Sequence, residues 1–209
     1  MIWKLISAPR NAYNAIVNWF WLRRARVEAE ARPTINGRLY IRNRGGRIVL
    51  GSGVRINSAH WANPIGGSTR TTVFVGPGAT LTIGDNVGMS NVSLVCNDSI
   101  TIEDNVLLGG DVRIYDTDFH ALESEIRNTP EEAGQVRTGP VVVGRDSFVG
   151  AGSMILRSSN VGAASIVGAM SVVRGTIPPG EIWIGNPARQ HRGAAPRQDT
   201  TRRTKPLDT

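Results

Sequence analysis

The chain has 209 residues, one domain at about 150 residues per domain with length left for tails. Its single cysteine, Cys96, excludes a disulfide framework and a cysteine-based metal cluster, and three histidines leave little for a histidine-rich metal site. The net charge of +7 sits at the ends: residues 1–32 hold six basic and two acidic residues, residues 189–209 again six and two, and residues 33–188 twelve and thirteen. A nucleic-acid binder carries its basic stripe on the folded body, so this neutral body argues against nucleic acid as a partner.

Residues 1–32 predict a helical segment. Trp3, Ile6, Tyr13, Ile16, Val17 and Phe20 fall near helical spacing, with Arg23, Arg24 and Arg26 at one end. The apolar stretch Ala12 to Leu22 is broken by Asn14 and Asn18 and is too short to span a bilayer, which needs about 20 apolar residues. No small-residue cleavage site follows it, so no signal peptide is expected and the default location is the cytoplasm. The apolar face is expected to cap the domain that follows. The alternative is an interfacial helix on an anionic membrane, with Trp3, Trp19 and Trp21 at the headgroups and a peripheral contact through residues 1–26.

From residue 33 to 192 the signal is periodic. Val143, Val149, Ile155, Val161, Val167 and Val173 lie six residues apart without a miss, and Gly144, Gly150, Gly162 and Gly168 follow four of them. A period of six suits neither a helix nor a plain alternating strand. It suits an all-β solenoid whose short strands meet at corners, each face sending one aliphatic residue inward. The glycines are expected to supply corner backbone angles forbidden to side chains, and Ala151, Ser153, Ala163, Ser165, Ala169 and Ser171 to keep bulk out. Upstream, Ile83-Gly84-Asp85-Asn86-Val87 matches Ile102-Glu103-Asp104-Asn105-Val106 one looser coil later. Both Asp-Asn pairs read as corner residues and Cys96 as a small buried residue.

Residues 116–140 abandon the period, and such an excursion from a compact repeat is functional or disordered. It carries His120, the side chain best suited to take a hydroxyl proton near neutral pH. A carboxylate on one ring nitrogen would fix the tautomer, and Glu125, Asp116 and Asp118 are the candidates. His60 and His191 read as surface or packing residues. Residues 193–209 lack apolar periodicity and read as a disordered basic tail.

These residues resemble the hexapeptide-repeat acyltransferases. The likeness is most specific in the aliphatic-Gly hexads, in Ile184-Gly185-Asn186-Pro187-Ala188-Arg189 after Ile177-Pro178-Pro179, and in Asp116-Thr117-Asp118-Phe119-His120 with Glu125 and Arg127 behind it. The last is similar to the histidine loop of galactoside, maltose, nodulation-factor and polysaccharide O-acetyltransferases. The resemblance implies a left-handed parallel β-helix, a homotrimer with sites between neighbours, acetyl-CoA as donor, no metal, and a sugar or glycan acceptor in surface polysaccharide or lipopolysaccharide synthesis. Position by position, it implies catalytic roles for His120, Asn91, Glu125 and Asp118 and acceptor contacts for Asp116 and Arg127. It lines the coenzyme arm with Ala151, Ala169 and Arg174, with Arg189 and Arg192 near its phosphates. The Asn91 amide or backbone N–H groups would hold the oxyanion. The chain departs from the family at Met170 (usually glycine), at Arg174-Gly175 (commonly Thr-Lys) and at Phe148 (often tryptophan). An amine acceptor on the same fold, a three-histidine metal enzyme of the carbonic anhydrase kind, and a non-catalytic solenoid scaffold are the alternatives.

Overall fold

The computed structural model describes residues 2–67 and 69–191, and for residues 2–9 the backbone alone. The expected tail at 193–209 and Arg192 lie outside the described residues.

Three sheets of seven, eight and six strands form the faces of a triangular coil, parallel throughout except for the last strand of the eight, Arg189–Gln190. The chain visits them in a fixed order. Face A includes Thr80–Ile83 and Ser99–Ile102, face B Gly88–Ser90 and Leu107–Gly110, and face C Ser93–Cys96 and Arg113–Tyr115. Each strand pairs with the one directly below it a whole coil away. Thr80 lies beside Ser99, nineteen residues on. In the later coils Val142 lies beside Asn160 and Phe148 beside Ile166, eighteen residues on, which is three hexads.

The six aliphatic residues of the hexad frame all point inward and are buried, as are Leu81, Leu94, Ile100 and Ile114 from the looser coils. One core therefore runs the length of the coil. A second hexad frame, Ser147, Ser153, Ser159, Ser165 and Ser171, is also buried. Its hydroxyls stitch coil to coil: Ser153 Oγ donates to the Gly168 carbonyl at 2.9 Å and Ser165 Oγ to the Pro178 carbonyl at 2.8 Å. These bonds satisfy polar groups that burial would otherwise penalise.

The glycines of the hexads do a different job from the one expected. None of Gly144, Gly150, Gly162 and Gly168 has a positive φ. A Cβ on Gly150 would instead sit 2.5 Å from the Ala169 nitrogen, and one on Gly162 2.4 Å from the Pro179 nitrogen. The next coil passes where a side chain would be. The left-handed corner residues include Asp146, Gly152, Ala164 and Met170, at φ between 57° and 71°. Asn86 and Asn105 take the same conformation and link upward, Asn86 Nδ2 to Asn105 Oδ1 and Asn105 Nδ2 to Asp146 Oδ1.

Helix α1 runs Ile2–Arg24 and packs on the first strands of faces B and C. It ends with Arg26 at φ 53° and Val27 N bonded back to the Leu22 carbonyl, a left-handed cap built without glycine. The coil starts at Glu28–Ala29, before the expected boundary at 33. The helix lies the other way round from the expectation. Asn14 and Asn18 are buried against the coil, and Tyr13, Ile16 and Phe20 face out. Asn18 decides this: its Nδ2 donates to the Gly37 carbonyl at 2.9 Å and its Oδ1 accepts from Leu39 N at 3.0 Å. An amide that joins two backbone groups of the first coil outweighs apolar residues that find no pocket there.

Candidate active site

Two excursions leave the coil, from different corners. One follows Arg55–Ser58 and returns at Thr72–Val75, between faces B and C; the other follows Arg113–Tyr115 and returns at Val141–Val143, between faces C and A.

The second carries His120. Its neck is closed by Asp118 N bonding to the Arg137 carbonyl and Gly139 N to the Asp116 carbonyl, with Thr117 bridged to Thr138. Phe119 takes φ 65° and packs edge-on against Tyr115, with centroids 5.2 Å apart. That reversal throws His120 outward, with 64% of its side chain exposed. Nδ1 lies 3.0 Å from Glu132 Oε1, and Nε2 has no hydrogen bond among the described residues. Glu132 is itself fixed, accepting from Ala121 N at 3.1 Å and from Asn128 N at 3.0 Å. The Asn128 N–H is the main cause, with those of Ala121 and the imidazole, that its carboxyl stays below the usual range.

The carboxylate on His120 is therefore none of the three expected. Glu125 turns to the Ser124 hydroxyl at 2.8 Å and is exposed. Asp118 Oδ2 lies 2.7 Å from Arg157 Nε, an ion pair whose N–H is not aimed along the contact. Asp116 is fully buried and accepts from Asn97 N and Asp98 N at 2.7–2.9 Å, so it braces the corner under the excursion and has no path to an acceptor. Burial pushes its carboxyl up in spite of these N–H groups. Arg127 is likewise an internal strut, with Nε to the Ala121 carbonyl at 3.0 Å and Nη2 to that of Leu122 at 2.8 Å.

Asn91 sits at the other corner, left-handed at φ 51° and buried. Its Nδ2 donates to the carbonyls of Asn63 and Ile65, at 3.2 and 3.1 Å, on the first excursion. Both amide protons are thus committed, and Oδ1 is buried without a partner. This side chain offers an acceptor, so it cannot hold an oxyanion as expected. Ala151 and Ala169 stack one coil apart at the same corner, with Met170 N bonded to the Ala151 carbonyl. Arg174 follows Val172–Val173 at the face C–A corner and is exposed, away from the alanine column. Arg189 is exposed on the short antiparallel strand Arg189–Gln190 at the far end of the coil, Nη1 folded onto the Ala188 carbonyl. One chain thus brings His120 to Glu132 and Asn91 to the alanine column, and holds the two groups at opposite edges of face C. Among the described residues no group of three or more His, Cys, Asp or Glu could hold a metal ion.

The galactoside O-acetyltransferase of Escherichia coli K12 is 30% identical over 118 residues, 56% of this chain and 56% of that protein. A probable acetyltransferase of Mycobacterium tuberculosis is 31% identical over 155 residues, 69% of this chain and 49% of that protein. Among solved structures, the N-acyltransferase AntD of Bacillus cereus, in complex with dTDP and coenzyme A, shares the fold: TM-score 0.58 and 21% identity over 79% of this chain and 82% of that one. No protein-family model matches. The chain spans about half the length of the curated relatives it matches. In sequence and fold the chain resembles the hexapeptide-repeat acetyltransferases, and its coil is their left-handed β-helix.

Proposed function

We propose that the chain is an acetyl-CoA-dependent O-acetyltransferase that acts on a sugar hydroxyl, with His120 as general base. One observation carries it: an imidazole on an excursion from the coil, Nδ1 held by an anchored carboxylate and Nε2 open to solvent. Glu132 fixes the tautomer that keeps the proton on Nδ1 and leaves the Nε2 lone pair available. Nε2 takes the hydroxyl proton as the sugar oxygen attacks the thioester carbonyl carbon. A C–O bond forms, the C–S bond breaks, and the proton passes from Nε2 to the leaving thiolate. The Glu132 carboxylate stabilises the imidazolium between the two transfers.

The acceptor class rests on the galactoside relative, and a place in surface polysaccharide or lipopolysaccharide synthesis suits it. The separation of His120 from the Asn91 corner favours a homotrimer in which the excursion of one copy reaches the corner of the next. There Ala151 and Ala169 leave room for the coenzyme arm, and the buried Asn91 braces the corner through Asn63 and Ile65. The Arg189 guanidinium lies towards the coenzyme phosphates.

The test is acetyl-CoA binding by calorimetry, then acetyl transfer to a panel of sugars by the wild type and His120→Ala. His120→Ala is expected to lower kcat by about 100- to 10,000-fold, the usual worth of a general base. No binding at millimolar donor, or an unchanged rate in the variant, would sink the proposal.

A further inference from the structure

Charge on the folded chain is divided along the coil axis. Residues 10–70, from α1 through the first coils, hold eleven arginines and two glutamates; residues 71–191 hold seven arginines and thirteen carboxylates. Because each coil stacks on the one before, order in sequence is order along the axis, and the positive charge is gathered at the α1 end. Among the described residues, the ion pairs give a carboxylate partner to just one of those eleven arginines, Arg47, which meets Glu28 at 2.7 Å. Two clefts beside α1 repeat the pattern. One of about 610 Å³ is bounded by Arg24, Arg26, Arg42 and Arg44, the other of about 420 Å³ by Arg10, Arg38, Arg70 and His60, and no carboxylate lines either.

The same end bears an unpartnered apolar face. Tyr13, Ile16, Trp19 and Phe20 of α1 are each more than half exposed. The helix sequence contains no acidic residue. Arg23 lies over the Trp19 ring at 5.3 Å and Arg10 over the Trp61 ring at 4.5 Å, pairing cation with aromatic ring at the edge of that face. A contiguous apolar patch ringed by arginine needs a cover that is both apolar and anionic.

We propose that this end of the coil docks on an anionic lipid bilayer, with α1 lying in the headgroup plane. Tyr13, Ile16, Trp19 and Phe20 enter the interface, and the arginines of the two clefts meet lipid phosphates. No described helix is long and apolar enough to cross a membrane, so the contact is peripheral. A second copy of this face would set arginine against arginine, and a nucleic acid would leave the apolar side chains uncovered. Neither matches both properties. The inference does not depend on acetyl transfer.

The test is co-sedimentation of the full chain with vesicles of phosphatidylcholine alone and with about one-third phosphatidylglycerol. Binding to the anionic vesicles is expected at low salt, falling steeply at about 0.5 M salt, with little binding to the neutral ones. The double variant Ile16→Glu, Phe20→Glu alters only the outward face and is expected to lower partition at least about ten-fold. Arg23→Glu with Arg24→Glu is expected to lower it about five-fold for each arginine lost. Circular dichroism and light scattering on the same variants report fold and subunit number. Four results would overturn the inference. These are no sedimentation with anionic vesicles at low salt, equal sedimentation with neutral ones, unchanged partition of the Ile16/Phe20 variant, or loss of subunits in it, which would assign the face to a second copy.

Discussion

Glu132 gives His120 a fixed direction because its own two oxygens are already tied to the Ala121 and Asn128 backbone. Glu132→Gln keeps the shape and removes the charge that an imidazolium needs beside it. It is expected to lower kcat by about 10- to 100-fold with the KM for acetyl-CoA unchanged, the scale of loss seen for partners that orient an imidazole. On a His120→Ala background it should have no further effect, and additive losses would sink the pairing. His120 is legible in the sequence because it stands where the period stops. Glu132 is not: the excursion holds Glu123, Glu125, Glu131 and Glu132, and no period ranks them. The choice is made by the left-handed Phe119 and the Arg127 strut, which fold the segment back on itself. The other nucleophilic group, Cys96, is shut off. Burial, with the Asp116 carboxylate adding to it, pushes its thiol up to about 12. Native protein at mildly alkaline pH is therefore expected to resist iodoacetamide and the unfolded chain to react, since the thiolate is the reactive species. Equal labelling of both states would contradict this.

At the scale of the element, six-residue spacing is a strong signal because each face must supply one inward aliphatic residue per coil. What spacing cannot show is why a glycine follows. The expectation was a φ requirement, and the structure shows a neighbour requirement, which is a property of the coil above and not of the local chain. The two explanations predict opposite orders of damage. Gly150 has an ordinary φ, but its Cβ would press on backbone atoms of Ala169 at 2.5 and 2.8 Å. Gly152 has φ 71°, a conformation that Asp111, Asp146 and Met170 also adopt, and its Cβ would meet the flexible Met170 side chain. Gly150→Ala is thus expected to destabilise by about 1–3 kcal/mol, as overpacking does, and Gly152→Ala by about 1 kcal/mol. Urea unfolding of the two variants checks the order, and the reverse would restore the φ explanation. Helix α1 shows a similar limit. Its spacing was readable, but which face turns inward was decided by Asn18 bonding to residues 37 and 39, a contact outside the helix.

At the scale of the whole molecule, face C separates what the proposed chemistry joins. Its strands run from the corner that holds Asn91 to the corner from which the His120 excursion departs, so folding of one chain leaves the two apart. In the proposed trimer the excursion of each copy meets the Asn91 corner of its neighbour, which would remove the separation. The reading can be tested without knowing the arrangement in detail. His120→Ala lacks the proposed base but keeps its corner, whereas Ala169→Trp keeps that base but fills the proposed donor arm at an exposed position of the corner. Each variant alone is expected to be nearly inactive. When the two are unfolded, mixed in equal amounts and refolded, half the sites draw an intact base and, independently, half draw an intact corner. About one quarter of the wild-type activity should return if the sites lie between copies. A site contained within one chain would restore nothing, because every chain in the mixture is defective. Recovery near one quarter would establish the shared site, and its absence would require His120 and the alanine column to act without each other.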